Sequence, residues 1–283
     1  MKNLDVITSV VALRARIDER RRRRAGPLAL VPTMGALHLG HLSLVEEAAR
    51  RAGHVVVSIF VNPRQFAPTE DLKRYPRNLE QDRAKLNAQG LTDVIFAPDT
   101  SEIYPDGFAT EIRLGGPARG LESDFRPEFF AGVATVVAKL FIAVAPDIAV
   151  FGEKDYQQLL VVRQLVRDLG LPVEIVGATI ARESDGLALS SRNAYLGLRE
   201  RAIAGKLNCV LAAAARRIRD GSAISATERE GKDALLAAGF DSVDYVAVRD
   251  GRTLAPLERP SGAMRILAAA TVNGTRLIDN MAV

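Results

Sequence analysis

The chain has 283 residues, of which 48% are hydrophobic and 25% charged, and its formal net charge is +4. This balance is typical of a soluble globular protein with one large domain or two moderate ones. No apolar run approaches the roughly 20 residues of a membrane span, and the first residues lack a signal-peptide cleavage site, so we expect no membrane association. The single cysteine, Cys209, excludes an intramolecular disulfide and fits the reducing cytoplasm, where we expect the protein. One cysteine and three histidines argue against a structural zinc site.

An unbroken run of five arginines, residues 20–24, makes the positive charge local. One interpretation is a nucleic-acid-binding patch, and the other is the exposed end of a first helix, where the C-terminal dipole favours cations. Gly26 and Pro27 follow at once, as at a helix end, and no aromatic residues for base stacking lie between the arginines. The pattern favours a helix end, and we expect no nucleic-acid partner.

The first two-thirds of the chain alternate between strand and helix patterns. Apolar runs typical of strands buried on both faces of a parallel sheet lie at residues 28–31, 54–61, 93–97, 148–151 and 173–178. Helical patterns lie between them, at residues 42–52, 78–89, 130–144 and 156–169. This order predicts the α/β class, with a doubly wound, Rossmann-like parallel sheet that binds a nucleotide at the carboxyl ends of its strands.

The pattern changes after about residue 182. A turn-rich stretch is followed by helical patterns at residues 199–219 and 226–238 and by short strand patterns at 243–248, 265–272 and 275–278. Asn273 and Gly274, between the last two strands, are a strong hairpin signal. We therefore predict two domains: residues 1–182 bind the nucleotide, and residues 183–283 form a smaller α+β domain that closes over the first as a lid.

Two of the three histidines, His38 and His41, fall between a predicted strand and a helix. Backbone N–H groups and the positive end of the helix dipole converge at such a junction and favour an anion. Residues three apart on a helix point the same way, and Gly40 leaves room for a ring to approach the backbone. The spacing predicts a nucleoside triphosphate site for chemistry at the α-phosphate. Two surface histidines and a metal pair are the alternatives, although no third metal ligand is evident; His54, at the start of a strand, is interpreted as structural.

Two further polar clusters follow predicted strands. Gln65, after the second central strand, offers donors and an acceptor to a hydroxyl or a carboxylate, although loops are often rich in such residues. Lys154, after the strand at 148–151, is placed to reach a phosphate as a point charge. The neighbouring Asp155 and Gln158 also fit a capping box, and that interpretation can hold at the same time.

A last cluster, Ser190, Ser191 and Arg192, lies in the turn-rich stretch. Adjacent hydroxyls and a guanidinium suit a pyrophosphate leaving group, on which charge develops in the transition state. A helix N-cap followed by a surface arginine is the alternative interpretation.

The four clusters together carry a resemblance to a known family. PTMGALHLGH (32–41), FVNPRQF (60–66), YPR (75–77), GVATVVAKLF (132–141), FGEKDYQQ (151–158) and LSSRN (189–193) occur in one order and spacing. Over nearly its full length the chain resembles the HIGH-type nucleotidyltransferases and, within them, the pantoate–β-alanine ligase (pantothenate synthetase) family. The resemblance implies ATP-driven condensation of (R)-pantoate with β-alanine through a pantoyl adenylate, with release of AMP and pyrophosphate, in pantothenate and coenzyme A biosynthesis.

The resemblance also implies roles for individual residues. His41 corresponds to the family's proton donor and acts with His38, Lys154 and the Ser190–Arg192 cluster, while Gln65 and Gln158 hold pantoate and Gln65 also lies near β-alanine. Positions that correspond to ATP contacts are Met34, Gly35, Ala36, Leu37, His38, Leu39, Gly40, His41, Gly152, Glu153, Lys154, Asp155, Ala181 (main chain), Leu189, Ser190, Ser191 and Arg192. Mg²⁺ is expected with the phosphates, since most of its ligands can be phosphate oxygens and water. The family implies a cytoplasmic homodimer.

The sequence departs from the family pattern at three places. Leu39 stands where an acidic residue is usual, and Leu189 stands where methionine is common; both are expected only to change packing near ATP and tune its affinity. The segment at residues 126–133 lacks a histidine and an arginine of the family pattern, and no role is carried over from it.

Two other functions compete with the ligase. One is a nucleotidylyltransferase that leaves the nucleotide on a phosphorylated acceptor, which would give a stable adenylylated product. The other is an arginine-rich RNA-binding module on a degenerate nucleotide fold, which would bind RNA with steep salt dependence and without ATP turnover.

Overall fold

The computed structural model describes residues 4–23, 26–66, 72 and 74–283. Arg24, the last residue of the arginine run, lies outside the described residues. The chain folds into two compact units. The first comprises the described residues up to Leu114 with Arg126–Glu153 and Val161–Thr179, and the second comprises Gly115–Phe125, Lys154–Leu160 and Ile180–Val283. The second unit thus includes two short segments that precede the predicted C-terminal domain in the chain. The assignment of residues 1–182 to nucleotide binding and 183–283 to a lid stays a prediction.

The first unit is built on a six-stranded parallel sheet with the order β1-β4-β3-β2-β5-β6. Its strands are Asp5–Ile7 (β1), Leu28–Thr33 (β2), His54–Ile59 (β3), Val94–Phe96 (β4), Ile148–Gly152 (β5) and Glu174–Ala178 (β6). The predicted α/β class with a doubly wound parallel sheet is confirmed. The short edge strand β1 was not predicted, because three residues are too few to show a periodicity.

The helices lie, in chain order, at Val10–Arg22 (α1), Leu39–Arg51 (α2), Leu79–Gln89 (α3), Thr100–Ile103 (α4), Glu122–Phe125 (α5), Phe129–Val144 (α6), Tyr156–Asp168 (α7), Leu198–Ala204 (α8), Lys206–Arg219 (α9) and Ile224–Ala237 (α10). The prediction of one helix over 199–219 was wrong, since α8 and α9 meet at Gly205. Glycine weakens a helix interior by about 1 kcal/mol relative to alanine. Among the described residues, no helix combines the length and apolar character that a membrane crossing requires.

Both faces of the parallel sheet are covered. Val31 and Val57 belong to one core cluster with Val45 and Ala48 of α2. Side chains alternate between the faces of a strand, yet the intervening Leu30 is also fully buried. Burial on both faces explains why these strands read as continuous apolar runs.

The arginine run ends α1, as the favoured interpretation predicted. The described part of the run includes Arg20, Arg21 and Arg22 in the last turn of that helix. The Arg21 guanidinium donates to the Ala145 carbonyl oxygen (2.7 Å), which lies at the C-terminal end of α6. A cation there interacts favourably with the partial negative charge of the helix end.

The second unit contains a three-stranded antiparallel sheet, formed by Ser242–Asp250 (β7), Met264–Val272 (β8) and Thr275–Ala282 (β9). Asn273 and Gly274, both with positive φ, make the predicted hairpin turn between β8 and β9. Leu211 and Ile218 of α9 pack with Ile266 and Ala268 of β8 in the unit's own core cluster. The smaller α+β part is therefore confirmed as an element of the fold.

Candidate active site

Two segments with predicted site residues, the stretch from Met34 to His41 and the pair Gly152 and Glu153, lie at the topological switch point of the sheet. β2 pairs with β3 on one side and with β5 on the other, although β4 comes between β3 and β5 in the chain. The stretch from Met34 to His41 follows β2, and Gly152 and Glu153 end and follow β5. Ligands of doubly wound sheets bind in the crevice at the carboxyl ends of the strands at such a point.

His38 and His41 form a capping box at the N-terminus of α2. His38 is the N-cap residue, and its Nδ1 accepts a hydrogen bond from the backbone N–H of Gly40 (3.1 Å). His41, in the first turn, accepts the backbone N–H of His38 on its own Nδ1 (3.3 Å). The two ring centroids lie 4.1 Å apart. Capping boxes usually combine Ser or Thr with Glu or Gln, so this helix start uses two imidazoles for the same purpose.

The capping bonds determine the tautomer of both histidines. A neutral imidazole that accepts on Nδ1 carries its proton on Nε2. Both rings therefore have an N–H donor at the ring position remote from the backbone, at a helix N-terminus that itself favours anions. Two neighbouring N–H donors at a helix N-terminus are suited to phosphate oxygens.

Asp82 of α3 holds the loop that leads into the histidines. Its carboxylate accepts the backbone N–H groups of Ala36 (2.9 Å) and Leu37 (2.8 Å). Ala36 has a positive φ of 51°, a conformation that a non-glycine residue adopts only when its surroundings enforce it. Asp82 is 2% exposed, and burial raises the pKa of its carboxyl group, although the two backbone hydrogen bonds oppose that shift. Lys85, one turn later, donates to the Leu37 carbonyl oxygen (2.6 Å).

Sequence reasoning missed Asp82. The available signal was a carboxylate on the apolar face of a predicted helix, because Leu79, Asp82 and Leu86 have the spacing of one helix face. A charged residue is almost never buried at such a position without partners.

Gln65 lies in a short 3-10 turn, Pro63–Gln65, after β3. Its side-chain oxygen accepts from Asn62 Nδ2 (2.9 Å), which also donates to the Gly132 carbonyl oxygen (3.1 Å). Asn62 is 1% exposed, and its Oδ1 accepts from the Tyr104 hydroxyl (2.8 Å), so its amide orientation is determined by partners on both ends. Because Asn62 binds the Gln65 side-chain oxygen, the amide N–H groups of Gln65 are donors separate from that contact.

The segment at residues 126–133, from which no role was carried over, supports the Gln65 turn. Arg126 donates to the Gln65 carbonyl oxygen (2.9 Å). A Cβ atom on Gly132 would lie 2.6 Å from the Arg64 carbonyl carbon and closer still to its oxygen. Only glycine at this position of α6 permits that approach.

In the second unit, Lys154, Ala181 and Leu189 are brought together by the last strand. Asn280 of β9 donates from Nδ2 to the Lys154 carbonyl oxygen (2.8 Å). Its neighbour Asp279 pairs with Arg182, which follows Ala181. The backbone N–H of Leu189 donates to the Ala181 carbonyl oxygen (2.9 Å). The Lys154 ammonium lies 3.8 Å from the Asp155 carboxylate, and its side chain is 20% exposed.

The hydroxyl cluster starts a short helix, as its alternative interpretation expected. Ser190 is the N-cap of the 3-10 helix Ser191–Tyr195, and its Oγ accepts the backbone N–H of Arg192 (3.3 Å). The three residues are partly accessible. A capping role does not account for the guanidinium of Arg192 or the hydroxyl of Ser191, so the predicted phosphate role stays a prediction.

The two glutamines after Tyr156 differ in their environment. Gln157 is 4% exposed and donates to the carbonyl oxygens of Pro117 (2.9 Å) and Gly120 (3.0 Å), which anchors the Gly115–Phe125 segment. Gln158, the predicted pantoate ligand, is half-buried. Gln157 is therefore structural. Residue type and spacing do not separate the two glutamines, and only the family resemblance assigned pantoate to Gln158.

The structure also places Leu39 and His54. Leu39 is 72% exposed at the start of α2. His54 pairs with Asp93 (3.1 Å), in keeping with its structural interpretation. In the part of the chain that the structure describes, no group of three or more His, Cys, Asp or Glu side chains is arranged to hold a metal ion.

The predicted site residues are divided between the two units. The first unit contains His38, His41, Gln65, Gly152 and Glu153. The second unit contains Lys154, Asp155, Gln158, Ala181 and residues 189–192.

Comparison with known proteins gives consistent results. Residues 5–282 match the family model described as pantoate-beta-alanine ligase. The chain is 56% identical to the pantothenate synthetase of Mesorhizobium japonicum, over 99% of this chain and 98% of that one. It is similar to the crystal structure of pantothenate synthetase from Thermus thermophilus, with a TM-score of 0.91, 47% identity and coverage of 98% of this chain and 99% of that one. It is also similar to the pantoate-beta-alanine ligase of Francisella tularensis complexed with beta-gamma ATP and beta-alanine, with a TM-score of 0.83, 32% identity and coverage of 98% and 97%.

Proposed function

Since the chain belongs to the pantoate–β-alanine ligase family, we propose that its two histidines and the residues assigned above carry out pantothenate formation through a pantoyl adenylate. As a member of this family, the protein is an ATP-dependent ligase that forms pantothenate from pantoate and β-alanine.

The observation that carries the proposal is the histidine capping box at the switch point of the sheet. Both imidazoles accept backbone N–H groups on Nδ1 and so hold their protons on Nε2. In the adenylation step a pantoate carboxylate oxygen forms a bond to the α-phosphorus of ATP, and the bond from that phosphorus to pyrophosphate breaks. His38 and His41 donate hydrogen bonds from Nε2 to the phosphate oxygens on which negative charge develops. The proton-donor role that the family resemblance implies for His41 is this Nε2–H hydrogen bond, with the proton kept on the imidazole.

We assign the pyrophosphate to the cationic and hydroxyl groups of the second unit. Lys154 and Arg192 neutralise its charge, and Ser190 and Ser191 donate hydrogen bonds to it. One donor to developing charge contributes about 3–4 kcal/mol, which is about 100- to 1,000-fold in rate. The remaining ATP contacts are assigned to the residues 34–41, Gly152, Glu153, Asp155, Ala181 and Leu189.

Gln65 and Gln158 hold pantoate in this assignment. The Gln65 amide donors suit the carboxylate or hydroxyl oxygens of pantoate, because its own oxygen is bound by Asn62. In the second step the β-alanine amine attacks the pantoyl carbonyl carbon, the bond to AMP breaks, and the amine releases a proton. Orienting two reactants in this way contributes about 7–11 kcal/mol.

Mg²⁺ fits this site as a partner of the ATP phosphates. The described residues contain no cluster of metal ligands, and Mg²⁺ commonly takes phosphate oxygens and water. When bound to the phosphates it neutralises their charge and makes pyrophosphate a better leaving group.

The family resemblance supports a homodimer that is located in the cytoplasm. Light scattering of the purified protein tests the dimer by its mass.

The rate of AMP release from ATP tests the proposal when it is measured with pantoate and β-alanine added separately and together. We expect release to require pantoate and β-alanine together and to yield pantothenate in equal amount. A stable adenylylated product would instead indicate a nucleotidylyltransferase, and tight, salt-sensitive RNA binding without ATP turnover would indicate the RNA-binding module.

A further inference from the structure

Two adjacent residues of β9, Asp279 and Asn280, are polar and almost completely buried, at 3% and 2% exposure. Successive side chains of a strand point to opposite faces, so the pair reaches two different neighbours. No motif in the sequence analysis includes either residue. Buried polar groups are retained where they are fully hydrogen-bonded, and each of these side chains has identified partners.

Asp279 holds the segment that carries Ala181 and Leu189. Arg182 donates from both terminal nitrogens to the two carboxylate oxygens, at 2.7 and 2.9 Å. The same guanidinium donates to the Gly186 carbonyl oxygen (2.9 Å) and so closes the loop between residues 182 and 188, which also pair in a β-bridge. A bidentate pair of this kind fixes orientation as well as distance.

Asn280 holds the main chain of Lys154. Its Nδ2 donates to the Lys154 carbonyl oxygen (2.8 Å), and its Oδ1 accepts from Arg265 Nε (2.6 Å). Arg265 in turn lies over the Tyr156 ring, 3.8 Å from its centroid. Because both ends of the Asn280 amide are bound, the amide cannot rotate without losing a buried hydrogen bond.

The contacts of Asp279 and those of Asn280 are joined through the main chain of β9. Arg182 also donates to the Asn280 carbonyl oxygen (3.3 Å), and the Asn280 N–H donates to the Asp279 carboxylate (2.7 Å). The Lys154 main chain and the Ala181–Leu189 pairing are therefore connected by one network of hydrogen bonds. A displacement of about 1 Å at a reacting group can lower a rate by about 100-fold.

We propose that Asn280, together with Asp279, is a positioning residue for adenylation, which fixes Lys154 relative to the Ala181–Leu189 segment. This inference rests on the proposed phosphate role of Lys154. Asn280 acts through Lys154 and needs no contact with a substrate.

A double-mutant cycle between Asn280 and Lys154 tests the proposal, with pyrophosphate exchange into ATP measured in the presence of pantoate. Asn280→Asp keeps the acceptor for Arg265 but places an oxygen against the Lys154 carbonyl oxygen. We expect it to lower exchange at least tenfold per folded molecule, and to lower it less than threefold when Lys154 is already alanine, because residues that act as one unit are not additive. Asn280→Ala, which removes the donor without adding a charge, serves if the aspartate variant does not fold.

The matched control is Glu230→Gln, an equally small change at an exposed ion pair with Arg217 in the same unit; its effect should be small in both backgrounds. The proposal is overturned if the Asn280 variants exchange like the wild type, or if their loss is as large with Lys154→Ala as without it. If Lys154→Ala alone leaves exchange unchanged, the phosphate role of Lys154 is wrong, and the inference fails with it. If Lys154→Ala lowers exchange while the Asn280 variants exchange like the wild type, only the positioning role of Asn280 is contradicted.

Discussion

The Asp82 carboxylate accepts the backbone N–H of Leu37 at 2.8 Å, so a residue of α3 determines the conformation of the loop before the histidines. The same carboxylate accepts the N–H of Ala36, whose φ is positive. The ATP-binding stretch thus depends on a side chain that no sequence motif marked.

Asp82→Asn should weaken both stability and ATP binding. The amide keeps one acceptor but turns an NH₂ group toward a backbone N–H, and an unsatisfied buried donor costs about 1–3 kcal/mol. We expect the free energy of unfolding to fall by about that amount and the KM for ATP to rise more than the KM for β-alanine. Glu80→Gln, an exposed change on the same helix, is the control. Equal KM values for ATP in the wild type and Asp82→Asn would contradict the role of Asp82.

The same residue predicts a pH dependence. Burial raises the pKa of Asp82 above its ordinary value, so the folded state binds this proton more tightly than the unfolded state. The contribution of Asp82 to stability is therefore greatest at acid pH and falls as pH rises through its folded-state pKa. In urea titrations between about pH 4 and 7, the stability of the wild type relative to Asp82→Asn should increase toward low pH. A difference that stays constant or decreases toward low pH would contradict this sign.

His41→Ala should lower turnover at least tenfold while the protein stays folded. It removes both the cap of the His38 N–H, worth about 1 kcal/mol, and the Nε2–H donor. His41→Glu separates the two roles, because glutamate at this position can restore the capping bond but its carboxylate has no N–H donor. We expect thermal denaturation to show restored stability in His41→Glu and steady-state assays to show turnover still reduced. Recovery of turnover by glutamate would show that capping alone was needed.

Gly132→Ala should disturb the Gln65 turn. The added methyl group would overlap the Arg64 carbonyl group, and overpacking of this kind costs about 1–3 kcal/mol. Because that turn carries Gln65, the KM for pantoate should rise. At Gly115, where φ is negative and a Cβ would lie 3.6 Å from its nearest neighbour, Arg119, alanine should be tolerated. A Gly132→Ala protein with wild-type stability and pantoate KM would exclude this support of the turn.

Gln65→Glu tests the direction of the Gln65 amide. Glutamate keeps an acceptor for Asn62 but replaces the amide donors with an anionic oxygen, which repels the pantoate carboxylate. The KM for pantoate should rise by at least about tenfold, equivalent to about 1.4 kcal/mol, and the KM for ATP should change little. A variant whose KM for pantoate is unchanged would remove Gln65 from the pantoate site.

The sequence predicted the sheet and the position of the histidines because both depend on local patterns. Continuous apolar runs mark strands buried on both faces, and a strand, a turn and a helix start mark an anion site. Asp82, Asn62 and Asn280 were not predicted, because their roles depend on contacts with segments distant in the chain, such as that of Asn280 with Lys154, 126 positions earlier. Of the three, Asp82 alone had a periodic signal, as a carboxylate on the apolar face of a predicted helix.

The most direct test of the proposed mechanism is exchange of labelled pyrophosphate into ATP with pantoate present and β-alanine absent. If the pantoate carboxylate attacks the α-phosphorus before the amine reacts, label enters ATP at a rate that depends on pantoate, and His41→Ala slows it. No exchange until β-alanine is added would contradict an adenylate intermediate formed from pantoate and ATP alone.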